Sequence, residues 1–106
     1  MTKIKFTKNQ SGEITAFTAD GHTNYGVEGE DIVCAAVSGV IQTAALGILM
    51  VAETQAEIVR KDAYFELTLP AEMTPTQRRD CNIILKTMMV GLNDIRETYS
   101  DFLEIS

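Results

Sequence analysis

The chain has 106 residues, 45% of them hydrophobic, with nine Lys and Arg against 15 Asp and Glu and a net charge of −6. That is enough apolar material for one packed domain over residues 1–106, and it excludes a disordered chain. The excess of carboxylates argues against duplex nucleic acid as a direct partner, because phosphate binding needs a surplus of cations.

The first six residues, Met1-Thr2-Lys3-Ile4-Lys5-Phe6, hold no apolar run of signal-peptide length. Ile4 and Phe6 alternate with Lys3, Lys5 and Thr7, which predicts a half-buried strand over 2–7. Asn9-Gln10-Ser11-Gly12 is turn chemistry, and Glu13 to Ala19, rich in Thr, Ile and Phe, reads as the second strand of a hairpin. Asp20-Gly21 ends that strand, and His22, the one histidine of the chain, follows directly. Residues 23–30 carry Gly26 and Gly29 and no apolar periodicity, which predicts a loop.

A long helix is expected from Asp31 to Ala52. Ile32 to Ala52 is an uncharged run of 21 residues, long enough to span a bilayer. Ser38, Gly39, Gln42, Thr43 and Gly47 dilute it, and neither Lys nor Arg stands near its ends, so a buried core helix is the expectation and no membrane is implied. Being apolar on nearly every side, it is expected to form the centre of the core, with Gly39 and Gly47 allowing close approach of a neighbour. Gln55–Arg60 and Ala63–Leu69 predict a second hairpin across Lys61-Asp62, closed by Pro70. Thr74-Pro75-Thr76-Gln77 is a capping box that opens a second helix, and Cys81, Ile84, Leu85, Met88, Leu92, Ile95 and Tyr99 make its apolar stripe. Phe102, Leu103 and Ile105 suggest a short last strand. The order strand-strand-helix-strand-strand-helix gives an α+β fold, with two helices packed on one mixed or antiparallel sheet.

The chemistry concentrates between His22 and Cys34. With Asp31 as N-cap, Cys34 is the third helical residue, where unsatisfied N–H groups and the helix dipole favour the thiolate. His22 can accept the thiol proton, and the same N–H groups can serve a developing oxyanion. The plainer reading stands beside this one. A cysteine in an Ala-rich helix is commonly a small core residue, and a lone histidine near a loop is commonly structural. Cys81 lies on the apolar stripe and reads as core. Two cysteines and one histidine fall short of a zinc site, so no metal or other cofactor is expected. With no secretory signal, both thiols are expected to be free in a reducing cytoplasm.

Asp20-Gly21-His22-Thr23, the glycine-containing loop, and Gly29-Glu30-Asp31-Ile32-Val33-Cys34-Ala35-Ala36-Val37-Ser38 resemble the ribosomal-processing cysteine protease family (Prp). The twelve-residue step from His22 to Cys34 and the run Asp-Ile-Val-Cys-Ala-Ala followed by Ser38 carry the resemblance, and length and element order extend it over nearly the whole chain. It implies a cysteine endopeptidase that removes the N-terminal extension of the precursor of large-subunit ribosomal protein twenty-seven. Cys34 is then the nucleophile and His22 the general base, later the acid. Asp31 or Asp20 is a candidate to orient His22, and Ser38 sits one turn after Cys34 on the same face. Each of the three has a structural alternative, as N-cap, turn residue and small packing residue. The loop with Gly26, Glu28 and Gly29 resembles the family's lid. The resemblance also implies a homodimer, which an all-round apolar first helix would fit. The competing function is a non-catalytic ribosome-assembly binding module on the same fold.

Overall fold

The computed structural model describes residues 1–27 and 30–106. Strands β1 (Thr2–Lys8) and β2 (Ile14–Asp20) form an antiparallel hairpin. Its turn is built by Asn9, whose side-chain oxygen accepts from the Ser11 and Glu13 N–H groups at 2.9 and 3.0 Å, while Gly12 takes the left-handed conformation at φ 80°. Strands β3 (Glu57–Lys61) and β4 (Tyr64–Thr68) form the second hairpin. The turn falls on Asp62-Ala63 rather than Lys61-Asp62, with Ala63 at φ 54°. Strand β5 (Leu103–Ile105) pairs parallel to β1, so the sheet is mixed, in the order β3-β4-β2-β1-β5.

Helix α1 (Ile32–Leu46) starts as the sequence predicts and then departs from it. From Gly47 to Val51 the backbone is π-helical, with the Ala52 N–H bonded to the Gly47 carbonyl at 2.9 Å. Here the segment packs on helix α2 (Pro75–Thr98), where a Cβ at Gly47 would stand 3.4 Å from Ile84 Cδ1. The Thr54 N–H and hydroxyl both bond the Ile48 carbonyl, at 3.2 and 2.9 Å, and close the end. At Gly39 the expected close approach is absent, since no atom lies within 4 Å of a Cβ built there.

Two helices on one face of one sheet make two layers, and a two-layer fold leaves every helix an outer side. Only one stripe of the first helical segment is therefore buried, through Val33, Val37, Ile41, Ala44, Ala45 and Ile48. Ile32, Leu46, Met50 and Val51 stand outside, Val51 at 74% exposure, so the helix is not enclosed on all sides as expected. Ile32–Val51 has the length and hydropathy of a membrane span, but its inner stripe belongs to the protein core. Helix α2 follows its sequence signals: the Gln77 N–H donates to Thr74 Oγ1 at 3.1 Å, and the Thr74 N–H donates to Gln77 Oε1 at 3.0 Å. Cys81, Leu85, Met88 and Leu92 of its stripe are buried against Phe17, Leu67 and Ile48 in one core.

Candidate functional site

The site begins where β2 ends. Gly21 takes φ 94°, and a Cβ on it would lie 2.6 Å from the Met1 carbonyl oxygen, so only glycine fits. Its N–H donates to the Ala63 carbonyl at 2.8 Å, and its own carbonyl accepts the Thr2 hydroxyl at 2.8 Å. The backbone immediately before His22 is thus held by the start of β1 and by the β3–β4 turn.

Asp31 organises the other end. It is the N-cap of α1 with an extended backbone, and its Oδ1 accepts from the Val33 and Cys34 N–H groups at 3.0 and 2.9 Å. Its Oδ2 accepts the Thr23 hydroxyl at 2.5 Å and the N–H groups of Tyr25 and Gly26 at 2.9 and 3.2 Å. One carboxylate therefore fastens the helix start and the beginning of the loop together. Burial pushes its pKa up, but the Thr23 hydroxyl and the N–H groups of Cys34, Gly26 and Tyr25 outweigh burial and hold it at about 2. The Tyr25 ring adds an apolar fastening, lying edge-on to Tyr99 and Phe102 with centroids 5.4 and 5.3 Å away.

His22 and Cys34, both half-buried, face two cavities at once. One, of about 230 Å³, lies on the sheet side and is lined further by Ala19, Val37, Ile41, Arg60 and Phe65. The other, of about 330 Å³, lies on the loop side with Asn24, Gly26, Asp31 and Ala35. Ser38 lines both, as its place one turn after Cys34 suggests. Among the described residues five hydrogen bonds reach the Asp31 carboxylate, and none comes from His22. Asp20 is exposed at the end of β2, opposite Lys3 and Tyr64, and lines neither cavity. Of the lid residues, Gly26 is clasped by Asp31, while Glu28 and Gly29 lie outside the described residues.

The helix-start N–H groups expected as oxyanion donors are already engaged. Those of Val33 and Cys34 donate to the Asp31 side chain, and that of Ala35 donates to the Asp31 carbonyl at 3.0 Å. The neutral side-chain donors facing the loop-side cavity are Asn24, at φ 62°, and Ser38. The two cysteines are free and differ sharply in setting. Cys81 is fully buried, and burial, with the Asp80 charge second, raises its pKa. Cys34 opens onto both cavities. Among the described residues no group of three or more His, Cys, Asp or Glu is placed to hold a metal.

Sequence reasoning missed Thr23, Gly21 as a steric necessity, and the sheet-side wall formed by Arg60 and Phe65. Thr23 carried a weak signal, a hydroxyl eight positions before an N-cap aspartate. The wall carried none, because it comes from a hairpin distant along the chain.

Comparison with known proteins gives the family. The family model of the cysteine protease Prp matches residues 1–104. The ribosomal processing cysteine protease Prp of Bacillus subtilis is 27% identical over 100% of this chain and 96% of its own length. Its Staphylococcus aureus counterpart is 29% identical over 100% and 98%, and that of Mycoplasma pneumoniae 33% identical over 81% and 80%. The crystal structure of the S. aureus ribosomal processing protease Prp with a covalently linked product peptide superposes with a TM-score of 0.89 at 29% identity, covering 100% of this chain and 98% of that one. The α+β fold, the match over residues 1–104 and relatives aligned from end to end lead to one assignment: the chain belongs to the Prp family and is a cysteine protease.

Proposed function

We propose that this protein removes the N-terminal extension from the precursor of large-subunit ribosomal protein twenty-seven, with Cys34 as nucleophile and His22 as general base and then acid. The observation that carries the reading is the shared position of the two side chains, between two cavities and at the first turn of α1. In this mechanism His22 takes the Cys34 proton, and the thiolate adds to the scissile carbonyl carbon. His22 then gives that proton to the departing amine as the C–N bond breaks and a thioester forms. A water molecule, activated by His22, hydrolyses the thioester and restores the thiol. Asp31 acts on the scaffold, holding the helix start and loop in register through its five bonds. The relatives' names as ribosomal processing proteases support the substrate, and the covalently linked product in the S. aureus protease supports the thioester route.

The same proposal includes a homodimer and a cytoplasmic setting. The outer groove between α1 and α2, about 770 Å³ and lined by Val40, Val51, Ile83 and Ile84, suits a second copy. Two free cysteines suit a reducing compartment. The test is incubation of the purified protein with full-length precursor and measurement of the new N-terminus by mass. Cys34→Ala and His22→Ala are expected to abolish the cut with the fold retained. Cleavage that survives either change refutes the assignment of that residue.

A further inference from the structure

Thr23, the residue after His22, is 1% exposed, yet it lines neither of the cavities that meet at Cys34. A buried hydroxyl needs a partner, and this one donates to Asp31 Oδ2 at 2.5 Å. Among the described residues it is the one side chain that bonds the carboxylate, since the other four donors are backbone N–H groups. The contact completes a short path between the two reactive residues. It runs from His22 through the Thr23 hydroxyl to Asp31, and from Asp31 Oδ1 to the Cys34 N–H at 2.9 Å. On its other side His22 follows Gly21, whose N–H and carbonyl are held by Ala63 and Thr2. Thr23 supplies the matching hold downstream.

A hydrogen bond to an ionised carboxylate is short and strong, and this one helps decide which oxygen serves the loop and which serves the helix. With Oδ2 committed to Thr23, Tyr25 and Gly26, Oδ1 is left for Val33 and Cys34. Without the hydroxyl, Oδ2 keeps only the backbone donors at 25 and 26, farther along the loop, and the residue next to His22 loses its anchor. Resting on the assignment of Cys34 and His22 above, we infer that Thr23 is a positioning residue for the cleavage reaction: its hydroxyl, acting through Asp31, sets the separation of the His22 imidazole and the Cys34 sulfur. The proton taken from Cys34 and later given to the leaving amine crosses that separation twice, and a misplacement on the order of 1 Å costs up to ~10²-fold in rate. Buried and outside both cavities, Thr23 touches no substrate, so it governs turnover and not substrate affinity.

Two matched pairs isolate the hydroxyl. Thr23→Val keeps the volume and exchanges the hydroxyl for a methyl. Thr23→Ser and Thr23→Ala lack the same methyl and differ in the hydroxyl alone. For each, kcat and KM on a precursor peptide are measured per folded molecule, with the folded fraction taken from urea unfolding. Thr23→Val and Thr23→Ala are expected to lower kcat by at least roughly 10-fold with KM unchanged within about 2-fold, while Thr23→Ser stays within about 3-fold of the native kcat. In an Asp31→Asn background the loss from Thr23→Val is expected to shrink, because both changes break one link. If the Val and Ala variants lose stability but keep the native kcat, or if Thr23→Ser is as slow as Thr23→Ala, the hydroxyl has no positioning role and the inference is overturned. Equal losses with and without Asp31→Asn overturn the route through Asp31. Where Thr23→Val does not fold, Ser against Ala decides. Cys34→Ala and His22→Ala report on the catalytic pair separately: if both abolish the cut and the hydroxyl proves dispensable, the positioning role alone falls.

Discussion

Gly21 and Gly12 offer a matched pair of substitutions. Both have left-handed backbones, at φ 94° and 80°. Alanine in that region costs roughly 1–2 kcal/mol by its own sterics. At Gly12 nothing lies within 4 Å of the new Cβ, so that cost is the whole effect. At Gly21 the new Cβ would stand 2.6 Å from a backbone oxygen of Met1, an atom that cannot rotate away. Strand β1 must shift, and the Thr2 hydroxyl bond to the Gly21 carbonyl is strained or lost, adding about 0.5–1.5 kcal/mol for the bond alone. Gly21→Ala is therefore expected to destabilise by roughly 2–4 kcal/mol, against roughly 1–2 for Gly12→Ala. Urea unfolding of both variants measures this, with m values checked for constancy. Because Gly21 precedes His22, Gly21→Ala is also expected to slow precursor cleavage, while Gly12→Ala leaves it untouched. Equal losses of stability in the two variants would refute the steric reasoning, and unchanged cleavage in Gly21→Ala would refute the link from that turn to His22.

Three further outcomes are expected. Iodoacetamide labels Cys34, which opens onto both cavities, in the folded protein, while Cys81, fully buried, is labelled only in denaturant; peptide mapping by mass distinguishes them. Asp31, at about 2 in the fold against 3.8 for an unperturbed carboxyl, stabilises the protein fully above pH 3.8 and progressively less as pH falls towards 2. Asp31→Asn is expected to remove that part of the acid transition, and an unchanged acid limb in a pH titration of stability would show that the carboxylate is not held as described. Leu85→Ala, at a position with 0% exposure in the core, is expected to cost about 2–5 kcal/mol in urea unfolding with the m value preserved.

Much of the fold was legible because its signals are local. The Thr74–Gln77 capping box, the stripe from Cys81 to Leu92, the Asn9–Gly12 turn and the Asp31 N-cap each depend on neighbours within a few residues. The π-helical turn at Gly47 was not legible, since the uncharged run from Ile32 to Ala52 continues straight through it. Nor was the one-sided burial of the first helix, because hydropathy records what a helix can bury and the number of layers decides what it does bury. In the site, the His22–Cys34 spacing was readable. The allocation of the Asp31 oxygens was not, because a buried carboxylate bonds whatever donors the folded loop presents, here Thr23, Tyr25 and Gly26. The pocket walls at Arg60 and Phe65 depend on a hairpin brought alongside by the sheet order, which no local pattern encodes.

The contact of Tyr25 with Tyr99 and Phe102 moors the segment after the histidine to the far end of the chain. A proteolytic nick between Tyr99 and Phe102 would therefore be felt some seventy positions upstream, as a loosened approach to the cysteine and not merely as a frayed last strand. In this molecule the integrity of the tail doubles as a condition on the reactive centre.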